Sequence, residues 1–214
     1  MPAYTKGEEI MNMTTHIVGG AFGVFALVMC LIKSARLENP LAILASIIYG
    51  FSVILTYSMS SIYHGLAHGT SKKVFQILDH CAIFCMIAGC YTPIALVSMF
   101  PLFPTLSIVV VILQWSLAAV CITLTAIDVK KYQAFSMICY MFMGWMVMFF
   151  FPKACQVLGQ TGIIYLFAGG VAYTVGAIFY GVGKKKKYMH AVWHLFILLG
   201  SVLQFISIYM YALH

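Results

Sequence analysis

His190-Ala-Val-Trp-His-Leu-Phe-Ile-Leu-Leu-Gly-Ser-Val-Leu-Gln-Phe-Ile-Ser-Ile-Tyr-Met-Tyr-Ala212 runs for 23 residues without a lysine, arginine, aspartate or glutamate. The hydrocarbon core of a bilayer takes about 20 apolar residues of α-helix, so this stretch reads as a membrane span. Its first five residues carry a second message. His190 and His194 are four apart, and on a helix such residues lie on one face, one turn above the other. Both imidazoles can then reach one point, which is a metal-chelating spacing. Ionisable groups at the edge of a membrane helix are costly and are kept where they act.

The rest of the chain agrees with a membrane setting. Of 214 residues, 63% are hydrophobic and 8% charged, whereas about a quarter of a soluble domain is charged. The 15% aromatic content suits interfacial belts, and 14 methionines suit adaptable packing between helices. A net charge of +7 would suggest nucleic acid in a soluble protein. Here the basic residues sit in short breaks between apolar runs, where they orient the chain, and nucleic-acid binding is not expected. The seven cysteines form no C-x-x-C pair and fall mostly within apolar runs, which points to free thiols. Glu8 and Glu9 precede the first apolar run where a signal peptide would be basic, so the first span is expected to be retained.

Seven segments approach membrane length: residues 13–34, 40–65, 74–98, 104–127, 134–151, 162–183 and 190–212. The expected fold class is therefore all-α, a single seven-transmembrane-helix bundle spanning residues 1–214. With the N-terminus cytoplasmic and the C-terminus external, nine basic residues fall inside and three outside, a clear positive-inside bias. The Lys184–Lys187 run contributes to it and could also attract anionic head groups. In this topology His16, His64, His68, His80, His190 and His194 all gather toward the inner side, with only His214 outside. Asp79 joins them as the one acidic residue at a helix start beside an apolar run.

A catalytic zinc takes three protein ligands and keeps a fourth position for water. His190 and His194 give two, and His64, in Ser60-Ser61-Ile62-Tyr63-His64, is the best third. Ser60 lies one turn before His64 and faces the same way. Asp79 can take a proton from water activated at such an ion, so the set describes metal-assisted hydrolysis. Plainer roles stay open for each: His64 bonded to a carbonyl at a helix end, Asp79 as the N-cap of span three, Ser60 bonded back to its own helix. His80 and His68 read as interfacial or loop residues. Cys81 and Cys85 share a helix face that could bind a soft metal or simply pack. Glu9, Asn12 and His16 form a stripe at the start of span one that supports the ligands or gates substrate, or else is a solvated helix end. Trp193 is expected to face away from the histidines and anchor the interface.

Glu8-Glu9-x-x-Asn12-x-x-x-His16, Ser60-x-x-x-His64, Asp79-His80 followed by Ala88-Gly89-Cys90-Tyr91-Thr92-Pro93, and His190-x-x-x-His194 together resemble the bacterial hemolysin III family. That family is related to the progestin and adipoQ receptors and, distantly, to alkaline ceramidases. The resemblance runs over nearly the whole chain in matching order. It implies seven helices with a cytoplasmic N-terminus in a bacterial plasma membrane. It also implies a zinc ion near the inner leaflet held by residues matching His64, His190 and His194, with Asp79 on the water and Ser60 in support. The long N-terminal region of the animal receptors is missing here, so hormone reception does not carry over. The function expected is a zinc-dependent hydrolase acting on the amide or ester of a membrane lipid. Two alternatives stand beside it: a non-enzymatic membrane-homeostasis or lipid-sensing protein with structural zinc, and a cytolytic or channel protein.

Overall fold

A computed structural model describes residues 4–183 and 186–214, and every regular element among them is helical. The elements are α1 (Lys6–Arg36), α2 (Pro40–Gly65), α3 (Thr70–Pro93), α4 (Pro104–Ile127), α5 (Gln133–Gly144), α6 (Phe151–Gly183) and α7 (Met189–Ser207). Short π-helical turns prolong α3 through Ile94–Met99 and α7 through Ile208–Ala212, and a 3-10 turn, Met146–Phe150, joins α5 to α6. Six stretches are long and apolar enough to cross a membrane. Five correspond to single expected spans. The other, Gln133–Gly181, has 49 residues and takes in both the fifth and the sixth.

The starts of these helices follow from local chemistry. Thr5 and Glu8 form a reciprocal capping box that opens α1 at Lys6, a full two turns before the apolar run. The Asn39 side chain accepts from Leu41 N–H and Ala42 N–H ahead of Pro40, and Pro104 opens α4. Both prolines sit where a missing N–H costs nothing. At the end of α4 the Asp128 carboxylate accepts from Lys130 N–H and Lys131 N–H to close the turn. Within the long fifth stretch Gly159 adopts φ 66° and ψ 174°, which interrupts the helix. Side chains on either flank meet in antiparallel order: Gln133 with Tyr180, Trp145 with Thr174, Phe151 with Phe167.

Packing runs α1 on α2, α2 on α3, α3 on α4 and α6 on α7, and α1 also packs against α7, so first and last helices are neighbours. The outside is apolar: Phe149 is 77% exposed and Ile127 71%. Inside lie Asn12, Thr56, Gln114 and His194, all buried. An apolar exterior around polar buried groups is stable where lipid, and not water, is the solvent.

Candidate metal centre

Three helices converge to build the site. His64 is in the last turn of α2, and His190 and His194 occupy the first two turns of α7. Each offers a ring nitrogen, and these nitrogens lie within 4.8 Å of one another. All three rings are buried, and Nε2 of each has no hydrogen-bond partner. Burying one unpaired imidazole nitrogen is unfavourable, and three on rings clustered this closely make a donor set suited to a cation. The opposite nitrogens of His64 and His194 are engaged. His64 Nδ1 lies 2.6 Å from Glu9 Oε2, and His194 Nδ1 lies 3.2 Å from both the Asn12 carbonyl and Thr15 Oγ. An N–H at Nδ1 leaves the Nε2 lone pair free, the tautomer a metal ligand needs. The residues present therefore fit a metal ion.

Around the triad, the expected stripe on α1 divides into three kinds of contact. Glu9 meets a ligand ring directly, and Asn12 reaches His194 through its backbone carbonyl. His16 stacks on His194 with centroids 3.6 Å apart and meets Tyr57 edge-on. Both His16 nitrogens and both polar atoms of the Asn12 side chain are buried without a partner. Tyr4, ahead of α1, lies 4.9 Å from the His190 ring, and burial pushes its hydroxyl pKa well above the ordinary value. Glu8 ties the start of α1 to the start of α7, since its Oε1 accepts from Tyr188 N–H at 2.9 Å just before α7.

Asp79 is not a helix cap. Helix α3 begins at Thr70, with Gly69 in the capping position, so Asp79 sits well inside it and its carboxylate turns to the interior. Ser60, buried on α2, is a neighbour of that carboxylate. Asp79 lies on the wall of two cavities. One is bordered by Tyr4, Tyr63, His80, Gln133, Tyr180 and His190. The second is bordered by apolar groups such as Ile83, Met86, Met141, Phe167 and Ile197, and it also touches His16 and Thr56. It occupies the space between α3, α5, α6 and α7, where α5 makes few close backbone approaches to α6.

Several neighbours differ from expectation. Trp193 does not face away: its ring centroid is 4.8 Å from His190 and 5.2 Å from His194, and it borders both cavities. Residues three apart share a helix face as surely as residues four apart. His80 donates from Nδ1 to the Gln76 carbonyl and stays 3.8 Å from Asp79. Cys81 donates to the Ile122 carbonyl, which turns it away from the triad, and all seven cysteines are free. His68 is exposed. Of the lysine run, Lys184 and Lys185 lie outside the described residues, and Lys186 and Lys187 are exposed. Lys72, which looked like a loop charge, is buried beside Glu9 at 2.9 Å. Its signal was a cation in the first turn of a helix, where the helix dipole disfavours it.

Comparison with known proteins adds an independent finding. Residues 4–205 match a family model described as haemolysin-III related. Hemolysin-3 of Bacillus cereus is 36% identical over 207 residues, covering 96% of this chain and 92% of that protein. The hemolysin-3 homolog of Bacillus subtilis (strain 168) is 36% identical over 209 residues, covering 98% and 96%. Human monocyte to macrophage differentiation factor is 24% identical over 217 residues, covering 95% and 84%.

Proposed function

The chain belongs to the haemolysin-III-related family and is a multi-pass protein of a bacterial cell membrane, and from that membership we propose that it is a zinc-dependent hydrolase of a membrane lipid amide or ester. The observation that carries the reading is the buried trio of unpaired Nε2 atoms on His64, His190 and His194, beside a carboxylate that borders two cavities. Three imidazoles suit zinc, and a set of three leaves one position open, as catalytic sites do. A zinc ion held there would supply Lewis acidity toward a carbonyl and toward water.

The protein's own groups divide the remaining work. Asp79, with Ser60 as a neighbour, takes the proton from the attacking water and returns it to the leaving amine or alcohol. The apolar cavity takes an acyl chain, and the polar cavity takes a head group and water. Since Asp79 borders both, the carbonyl between chain and head would lie beside it. Structural zinc without turnover would call for a fourth protein ligand. Among the described residues the group holds three, and His80 and Cys81 are bonded elsewhere.

We also propose seven crossings with a cytoplasmic N-terminus and the metal centre near the inner leaflet. The antiparallel contacts on either side of Gly159 support two crossings within Gln133–Gly181. The test of function is elemental analysis and lipid turnover on detergent-purified protein. Wild type should hold about one zinc per chain and cleave an N-acyl or ester lipid. His194→Ala should fold, lose the metal and lose turnover. Full turnover by a metal-free His194→Ala chain would refute the proposal.

A further inference from the structure

A buried lysine stands behind the metal-binding histidine of α2. The Lys72 ammonium has three N–H donors, and three acceptors surround it: Glu9 Oε1 at 2.9 Å, the Tyr63 carbonyl at 2.9 Å and the Leu66 carbonyl at 3.0 Å. Its Nζ also lies 4.8 Å from the centre of the Tyr63 ring. The charge is thus fully coordinated and held in one place, which is how a lysine tolerates burial. Glu9 divides its two oxygens. Oε1 goes to Lys72, and Oε2 faces His64 Nδ1 at 2.6 Å. The His64 side chain is fully buried and its Nε2 is unpaired.

We propose that Lys72 and Glu9 form a positioning relay for His64, in which Lys72 fixes the Glu9 carboxylate and that carboxylate holds the proton on Nδ1, turning Nε2 toward the metal point. The inference rests on the metal-site reading above and adds to it a residue from the start of α3. The physical reason lies in how the groups constrain one another. A lone imidazole samples two tautomers and swings about its side-chain bonds, and only one tautomer in one orientation can be a ligand at Nε2. A carboxylate on Nδ1 selects both, provided that it does not move itself. Two backbone carbonyls at the end of α2 pin the ammonium, and the ammonium pins Glu9. One set of contacts therefore closes the C-terminal end of α2, docks α1 on it and aims His64.

The test uses the full chain in detergent, with nitrogen-15 NMR of the imidazoles in the metal-free state and zinc affinity by chelator competition. His64 signals are assigned by their loss in His64→Gln. The wild type should carry the His64 proton on Nδ1. Glu9→Met should mix the tautomers, and Lys72→Met should shift the His64 signals while those of His194, held by the Asn12 carbonyl, stay in place. Zinc affinity should fall about 10- to 100-fold in both variants, the usual effect of losing an outer partner of a ligand. Lys72→Arg, which keeps the charge and donors, should recover most of it. General loosening of the fold would move His64 and His194 together. The relay is overturned if His64 carries its proton on Nε2, or if both Met variants keep wild-type His64 signals and zinc affinity. A wild type that binds no zinc would instead remove the metal reading, and the metal-free NMR comparison still decides whether Glu9 and Lys72 set His64.

Discussion

At the scale of single residues, the His190 and His194 pair was legible because its spacing is local. A pair four apart on one helix needs no tertiary knowledge, and Ser60 sharing a face with His64 needs none either. What the residues hid was partnership across helices. Glu9 finds His64 and Lys72, and Asn12 finds His194 only through its backbone, contacts that side-chain patterns do not announce. The misjudged Trp193 had a local signal, since three residues also make one turn, and its ring now borders both cavities. In the proposed reaction Asp79 moves protons while the histidines hold the ion. Asp79→Asn should therefore keep zinc and lose lipid turnover by about 10²- to 10⁴-fold, the usual share of a general acid–base group. Elemental analysis beside a turnover assay separates the two effects, and loss of zinc in Asp79→Asn would count against the division of roles. Ser60→Ala should reduce turnover more mildly, because the carboxylate survives.

At the scale of elements, the apolar runs located the helices and misplaced their ends. Thr5-x-x-Glu8 is a readable capping box, and it starts α1 at Lys6. Lys72 and Lys73 read as loop charges although α3 begins at Thr70. Pro152 read as a break, yet it is the second residue of α6, where proline fits, and the chain turns only at Gly159. Close helix contacts rest on small residues that composition alone could not single out. A Cβ at Gly19 would lie 2.2 Å from the Tyr57 ring, and one at Gly200 would lie 2.5 Å from the Tyr173 ring. The hydroxyls of those two tyrosines meet on Ser201 Oγ at 2.8 Å and 3.0 Å, joining α2, α6 and α7. Gly19→Ala must push Tyr57 off this junction and should cost about 1–3 kcal/mol, the usual cost of overpacking. Thermal unfolding followed by size-exclusion chromatography in detergent reads it. An unchanged midpoint would mean that the ring moves freely and the junction contributes little.

At the scale of the whole molecule, the membrane class was plain from composition, and six membrane-length stretches bear it out. The count within Gln133–Gly181 depends on how that stretch folds on itself, a long-range fact that hydropathy does not encode. The proposed topology puts the loop at residues 129–132 inside and the C-terminus outside. Single cysteines introduced at each place into a chain lacking its own should react with an impermeant maleimide on opposite faces of the cell envelope. Labelling of both from one side would reject the orientation. The contact between α1 and α7 carries a temporal meaning as well. Thr15 and His194 touch although they are 179 positions apart in sequence, so the groups that meet at the histidine trio leave the ribosome well apart in time. A nascent chain halted before α7 holds one of the three histidines and lacks the α1–α7 contact. On the proposed function, competence would therefore arrive in a single step, when α7 inserts beside α1, and a half-made copy would be inert in the membrane it has already entered.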